Sequence, residues 1–257
     1  MSTDAAQPRS AGPDADAARR EPGGAATHPA PSTLAAARAV LAKELLLERR
    51  APQTLIAMTL FSATAYVVFH FALDRDSVDG QLAAGVLWVT MLLAALLGIG
   101  RLFVSDRDEG GLEGFLLAPV DRTALLFAKG AALLAFLLAF QLVAVPLFAL
   151  LLLGPTPGAG TWARLLLVLV LADAGIAVVG TLVAAIAVQT RARDLITSIL
   201  ALPLLVPVMI GASRATAPLL QAAGAEPLPG RWLAILALYS LVFGLIAYAV
   251  FDFLVED

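Results

Sequence analysis

The sequence contains no cysteine among its 257 residues and only two histidines. The missing cysteines exclude disulfide bonds, Cys-ligated zinc, iron–sulfur clusters and covalent haem attachment through a Cys–His motif. Charge is also scarce, because charged residues make up 14% of the chain, whereas soluble domains carry about 25%. The net charge of −3 at pH 7 gives no basis for nucleic-acid binding.

A nucleotide-binding P-loop is also missing, since the pattern G-x-x-x-x-G-K-S/T occurs nowhere in the sequence. The chain therefore cannot bind ATP in that way. If it works in an ATP-driven machine, a partner must hydrolyse the nucleotide.

Apolar residues dominate the sequence, at 60% of the chain. A water-soluble core of this size could not bury so much apolar surface, so lipid must be the solvent for most of it. A membrane span needs about 20 mainly apolar residues. Six segments meet that length, and they predict an all-α integral membrane protein: Thr54–Leu73, Leu82–Val104, Ala124–Leu153, Ala163–Gln189, Leu195–Ser213 and Trp232–Phe253.

The segment before the first span divides into two parts. Residues 1–33 contain no large aliphatic residue except Met1, so we expect a disordered tail without a signal peptide, followed by a transmembrane domain over residues 34–257. Thr33–Arg50 predicts a helix with Leu34, Leu41 and Leu45 on one face. We interpret it as an interfacial helix that leads into the membrane.

The distribution of positive charge predicts the orientation. If the N-terminus is cytoplasmic, thirteen of the 17 Lys and Arg residues lie on the inner side. Six spans then place the C-terminus inside as well. We therefore expect a multi-pass protein of a bacterial inner membrane with both termini in the cytoplasm.

Several residues within the spans are polar or small. Asp173 lies near the middle of span four, where a charge is expensive, so we expect it to be protonated or paired with a group on another helix. We expect Gln141 to bond between helices. Arg101 and Lys129 lie near inner span ends, where their side chains can snorkel towards water.

Glycine and proline predict two further features of the spans. Gly175 and Gly180, with Ala172 and Ala184, give span four a small-residue face suited to close helix packing. Span five carries Pro203 and Pro207, which we expect to bend it and to free backbone carbonyls, and Pro146 offers the same in span three.

The inner loop between spans two and three reads SDRDEGGLEGFLLAPVDRT over residues 105–123. Its Leu112–Ala118 segment places Leu112, Phe115 and Leu116 on one helical face before Pro119. Two interpretations remain open: an interfacial helix that only connects two spans, or a coupling helix that docks on a cytoplasmic partner. A metal site at Asp106, Asp108 and Glu109 is disfavoured, because Arg107 lies among them and no calcium-loop pattern follows.

These residues carry a family resemblance. The run EGGLEGFLLAPVDR, preceded by GVLWVTMLLAALLGIGRLF, resembles the permease subunit of the cytochrome c maturation ABC transporter, the haem exporter protein B or CcmB family. The segment Ala187–Ala217, with its double proline, resembles the same family. The resemblance covers about residues 38–253.

The resemblance implies an ABC-2-like permease with a short cytoplasmic coupling helix and no catalytic, cofactor or metal site of its own. Its partners would be a cytoplasmic ATPase, a haem-handling membrane protein, a small accessory membrane protein and a haem chaperone. The complex would handle haem, either by exporting it or by releasing loaded chaperone. Two copies are expected, to match two ATPase subunits. The predicted ATPase-coupling residues are Glu109, Gly111, Leu112, Glu113, Phe115, Leu116, Pro119, Asp121, Arg122, Arg191 and Arg193.

Other functions stay open at this point. An ABC-2-type exporter for another hydrophobic substrate would share the six-span plan. An integral membrane lipid enzyme would need clustered acids or histidines, and only Asp106–Glu109 offers such a cluster. Haem iron would need His, Met, Cys or Tyr ligands. We expect His70 to be an interfacial residue and not a ligand. A passive scaffold without ATP coupling is the fourth alternative.

Overall fold

A computed structural model describes residues 33–103, 122–154, 157–188, 190 and 192–254 of the chain. The expected tail, apart from Thr33, and the expected coupling helix Leu112–Ala118 therefore lie outside the described residues. Within the described residues the structure is helical and contains no strand, which confirms the all-α fold class.

Seven α-helices and one 3₁₀ turn make up the described part of the chain. The helices are α1 Thr33–Arg50, α2 Gln53–Ala72, α3 Gly80–Arg101, α4 Arg122–Leu152, α5 Ala159–Ala187, α6 Arg193–Thr216 and α7 Gly230–Leu254. The 3₁₀ turn Ala217–Leu220 follows α6 directly. Six of the described helices, α2 to α7, are long and apolar enough to cross a membrane, as the sequence predicts.

Consecutive spans run in opposite directions, so the bundle has two ends. One end holds α1 and the inner termini of the spans, including Arg101 and Ala187, and we call it the α1 end. The other, which we call the opposite end, holds the connections after α2, α4 and α6. The orientation prediction assigns the α1 end to the cytoplasm.

The helix bounds differ from the predicted spans by up to a turn. Helix α5 begins at Ala159, before the expected Ala163, and α6 continues past Ser213 to Thr216. Thr216 is polar and ends the apolar run, yet it is fully buried, because its Oγ1 accepts a 3.0 Å hydrogen bond from Trp88 Nε1. Pairing with a distant tryptophan thus extends a helix that hydropathy alone ends early.

Helix α5 forms the centre of the bundle and packs against α3, α4, α6 and α7. A Cβ on Gly180 would lie 2.7 Å from Ile99 Cγ1, and one on Gly175 would lie 3.0 Å from Ser240 Oγ. A side chain at either position would therefore require neighbouring side chains to shift. The predicted close-packing face of span four is therefore confirmed.

Three prolines lie inside spans without ending them. Pro146 lies in α4, and Pro203 and Pro207 lie in α6, and both helices continue through them. A proline removes an intrahelical donor, so nearby carbonyls need other partners. The Tyr239 hydroxyl of α7 donates a hydrogen bond to the Leu204 carbonyl between the two α6 prolines.

Helix α1 has the predicted bounds, but a different face packs on the bundle. Its buried residues are Ala36 and Glu44, and Val40 between them also packs against the core, where α1 meets α4. Leu34 and Leu45 of the predicted apolar face are exposed and do not pack on the bundle, and the interfacial position of α1 stays a prediction. Glu44 is buried because it has a specific partner on α4, described below.

Candidate functional site

The predicted ATPase-coupling residues fall mainly outside the described residues. Arg122 and Arg193 are placed only as the first residues of α4 and α6, both at the α1 end. The α1 end therefore carries both helix starts that follow the predicted cytoplasmic connections. The residues outside the described part are Glu109, Gly111, Leu112, Glu113, Phe115, Leu116, Pro119, Asp121 and Arg191.

A buried lysine joins three helices at the base of the predicted coupling loop. Lys129 of α4 is fully buried, and its Nζ lies 2.9 Å from Glu44 Oε1 of α1. The same Nζ donates a 2.9 Å hydrogen bond to the Leu102 carbonyl, directly after α3. It also lies 5.2 Å from the centroid of the Phe103 ring. We call this cluster of Glu44, Leu102, Phe103 and Lys129 the Lys129 junction.

The prediction that Lys129 snorkels towards water is wrong. An ammonium group without a partner is very costly inside a protein, but this one has a carboxylate, a carbonyl and an aromatic face. The carbonyl belongs to the C-terminal end of a helix, where unpaired carbonyls carry partial negative charge. These partners replace water around Lys129.

The junction lies where the segment between α3 and α4 begins and ends. Leu102 and Phe103 immediately precede residues 104–121, and α4 begins immediately after that segment. Lys129 therefore contacts a residue before the segment from a helix that follows it, and it attaches α1 to both.

A second acid of α1 fixes the corner between α1 and α2. The Leu55 amide N–H in the first turn of α2 donates a 2.8 Å hydrogen bond to Glu48 Oε1. Beside this corner lies a cavity of about 420 Å³, lined by Glu44, Glu48, Arg101 and neighbouring apolar groups. Arg101 is exposed, and its predicted snorkelling towards water stays a prediction.

Two polar side chains meet in the middle of the bundle. Gln141 Nε2 of α4 donates a 2.8 Å hydrogen bond to Asp173 Oδ1 of α5, and both side chains are buried. Gln141 Oε1 and Asp173 Oδ2 are buried without a hydrogen-bond partner among the described residues. The two intramembrane polar residues singled out from the sequence are thus each other's partners.

His70 of α2 lies at the opposite end of the bundle, where its ring makes contacts within the structure. Its Nδ1 lies 2.7 Å from the Leu151 carbonyl, so that nitrogen carries the proton and donates. Its ring meets Phe71 edge-on. In the described ranges, no three His, Asp or Glu side chains come close enough together to hold a metal ion.

Sequence reasoning missed the pairing of Glu44 with Lys129. These residues are 85 positions apart, so no local spacing connects them. A signal is nevertheless present, because Glu44 continues the face of Ala36 and Val40 at helical spacing. An acid on a packed face, together with a lysine inside a span, indicates an ion pair.

Six described helices that are long and apolar enough to cross a membrane, packed around a small-residue central helix, define an all-α multi-pass membrane protein.

Comparison with known proteins identifies the family. The model of the CcmB protein family matches residues 35–253. The chain is 34% identical over 212 residues to heme exporter protein B of Pseudomonas aeruginosa, which covers 82% of this chain and 92% of that protein. It is 31% identical over 220 residues to heme exporter protein B of Bradyrhizobium diazoefficiens, covering 84% and 96% respectively. The chain belongs to the CcmB protein family.

Proposed function

We propose that the chain is the membrane permease subunit of an ABC-type complex for haem trafficking in cytochrome c maturation. The observation that carries this proposal is the match of the family model to residues 35–253. Relatives named heme exporter protein B align over more than four fifths of the chain, including one at 34% identity. The complex either exports haem or releases a haem-loaded chaperone, and the proposal includes both routes.

The energy for this work comes from a separate cytoplasmic ATPase. The absence of a P-loop motif from the sequence supports this division of labour. The apolar face of Leu112, Phe115 and Leu116 docks in a groove on the ATPase. Arg191 and Arg193, between spans four and five, add contacts on the same side.

Motion of the docked segment reaches the spans through its flanks. The Lys129 junction supports this step, because Lys129 bonds Glu44 and the Leu102 carbonyl at 2.9 Å each. Helix α4 then acts on α5, which contacts four other spans. No bond is made or broken in this chain, so its role is to convert ATPase closure into helix rearrangement.

The complete assembly contains two copies of this chain and two ATPase subunits. It also includes a haem-handling membrane protein, a small accessory membrane protein and a haem chaperone. It resides in the bacterial inner membrane with the α1 end in the cytoplasm. The chain itself holds no haem, and other members of the complex handle it.

The proposal is tested in the native host by deleting the chain and staining membranes for haem peroxidase activity. We expect c-type cytochromes to disappear and b-type cytochromes to remain. Wild-type chain and Phe115→Leu should restore the stain, because leucine keeps the apolar face. Phe115→Asp should not restore it, although the chain accumulates normally.

Three results would count against the proposal. Unchanged c-type cytochromes after deletion would exclude the haem pathway and favour export of another hydrophobic substrate. Simultaneous loss of b-type cytochromes would point to haem synthesis. Full rescue by Phe115→Asp would exclude docking through the Leu112–Ala118 face.

A further inference from the structure

A groove between two spans at the opposite end of the bundle is not used by the proposed mechanism. It lies between α3 and α6 and has a volume of about 390 Å³. Its walls include the polar residues Gln81, Ser213 and Arg214 and the apolar residues Val89, Leu92 and Ile210. We call it the α3–α6 groove.

The polarity of the groove changes with depth in the bundle. Gln81 is the second residue of α3, and Leu92 lies about 16 Å further along that helix at 1.5 Å per residue. On α6, Arg214 lies in the last turn and Ile210 lies one turn closer to the middle. One end of the groove is therefore cationic and polar, and the deeper part is apolar.

The cation at the head of the groove is available to a ligand. Arg214 is exposed, and in the described part of the chain no carboxylate lies within ion-pair distance of it. Asp79, an acid of the same corner, instead accepts a hydrogen bond from the Ala222 amide at 3.3 Å. The apolar wall is likewise uncovered, because Val89 and Ile210 are each 50% exposed.

We propose that the α3–α6 groove binds one acidic phospholipid from the leaflet at the opposite end. Its phosphate pairs with the Arg214 guanidinium, its glycerol oxygens accept from Gln81 and Ser213, and an acyl chain covers Val89, Leu92 and Ile210. The charge and the polarity gradient both match such an amphiphile. A zwitterionic lipid offers the same phosphate, but its own ammonium group offsets the attraction to Arg214. This inference is independent of the haem-trafficking proposal.

Trp88 lines the same groove and provides a local probe. We would use a Trp162→Phe/Trp232→Phe variant, which leaves Trp88 as the only tryptophan of the three in the chain. The purified variant is placed in phosphatidylcholine vesicles that contain brominated phosphatidylglycerol or brominated phosphatidylcholine at equal mole fraction. Bromine on the acyl chain quenches fluorescence only at short range, so Trp88 reports on lipid in or directly beside the groove.

We expect the groove to bind phosphatidylglycerol about five times more tightly than phosphatidylcholine. This is the ratio of affinities expected when one cationic side chain attracts an anionic headgroup. Arg214→Gln should abolish the preference, and Arg214→Lys should retain most of it. Arg75→Gln removes another exposed arginine at the same end and should leave the preference unchanged. Soluble glycerol phosphate should not relieve the quenching, because it lacks acyl chains.

Equal quenching by the two lipids in the unmutated groove would overturn the proposal whether or not the variants fold. So would retention of the preference in Arg214→Gln, or relief of quenching by glycerol phosphate. Absence of quenching by either lipid would show that a second copy or another protein covers the groove. This result would also overturn the proposal.

Discussion

At the scale of single residues, the buried Glu44, Lys129, Gln141 and Asp173 side chains each have a partner on another helix. Lys129 and Glu44 pair at the α1 end, and Gln141 and Asp173 pair in the middle of the bundle. The importance of Asp173 can be predicted from sequence, because a charged acid inside a span is costly and therefore needs a partner or a proton. The partner of Lys129 is harder to predict, because only the helical spacing of Glu44 with Ala36 and Val40 indicates how α1 lies against α4.

The Gln141–Asp173 contact predicts an unusual substitution effect. In Asp173→Asn, the new amide keeps accepting from Gln141 Nε2 and can also donate to Gln141 Oε1, which lacks a partner among the described residues. We expect a midpoint of thermal unfolding equal to or above wild type. Asp173→Leu should lower the free energy of unfolding by about 0.5 to 2 kcal/mol, the range that interhelical hydrogen bonds contribute in membranes.

The measurement is thermal unfolding of the purified chain in detergent, followed by fluorescence. The Gln141→Leu/Asp173→Leu double variant serves as a control, because it leaves no polar group unpaired and should recover part of the loss. A midpoint for Asp173→Asn as low as that of Asp173→Leu would contradict the account of this contact.

The Lys129 junction predicts strong coupling between two substitutions. Removing one member of a buried ion pair strands the other charge and costs about 3 to 5 kcal/mol. Glu44→Ala and Lys129→Met should each destabilise the chain by that order. The double variant should be less destabilised than the two losses combined, because no buried charge remains.

Lys43→Met is the matched control for this cycle. Lys43 lies 3.4 Å from the same Glu44 carboxylate, but its side chain is 43% exposed. Exposed ion pairs contribute about 0 to 1 kcal/mol, so its loss should be small. Strictly additive effects of Glu44→Ala and Lys129→Met would show that the two residues do not depend on each other.

At the scale of elements, the sequence predicts the helices well because a membrane imposes their length. The bounds of α1 are predicted correctly, and the six spans differ from prediction mainly at polar ends such as Thr216. The face of α1 that packs on the bundle is not predicted, because the apolar residues Leu34 and Leu45 lie on another face and are exposed. In a membrane protein, apolar residues can face lipid, so hydrophobicity alone does not show which side packs.

The close approach of α5 to α3 predicts that Gly180 tolerates no side chain. A Cβ there would lie 2.7 Å from Ile99 Cγ1 and 3.0 Å from Leu133 Cδ2. Gly180→Ala should therefore destabilise the bundle by about 1 to 3 kcal/mol through overpacking. Thermal unfolding of the solubilised chain gives the measurement.

Gly100→Ala in α3 provides the control, because a Cβ at Gly100 meets nothing within 4 Å. It should be neutral or stabilising by up to about 1 kcal/mol through helix propensity. Equal midpoints for the two alanine variants would contradict the packing described for α5.

At the scale of the whole molecule, the fold class and the number of spans follow from composition and apolar runs. The membrane orientation remains a prediction from positive charge, and it is directly testable because the chain has no cysteine of its own. Single cysteines at exposed Asp76 and Ala225 would report on the opposite end, and one at exposed Arg50 would report on the α1 end.

In intact spheroplasts, we expect a membrane-impermeant maleimide to label Asp76→Cys and Ala225→Cys. Arg50→Cys should react only after the membrane is opened, because the positive-inside rule places it in the cytoplasm. The reverse pattern would invert the orientation, and with it the side on which an ATPase could dock.

The central claim is that this chain transmits the work of a separate ATPase within a haem-trafficking complex. The most direct measurement is affinity purification of the tagged chain from its native membrane in mild detergent, beside Phe115→Asp/Leu116→Asp and Phe115→Leu/Leu116→Ile. The account predicts that wild type and the conservative variant bring down an ABC ATPase and a haem-handling membrane protein, and that the aspartate variant loses the ATPase. Recovery of intact membrane complexes without any ATPase would contradict it.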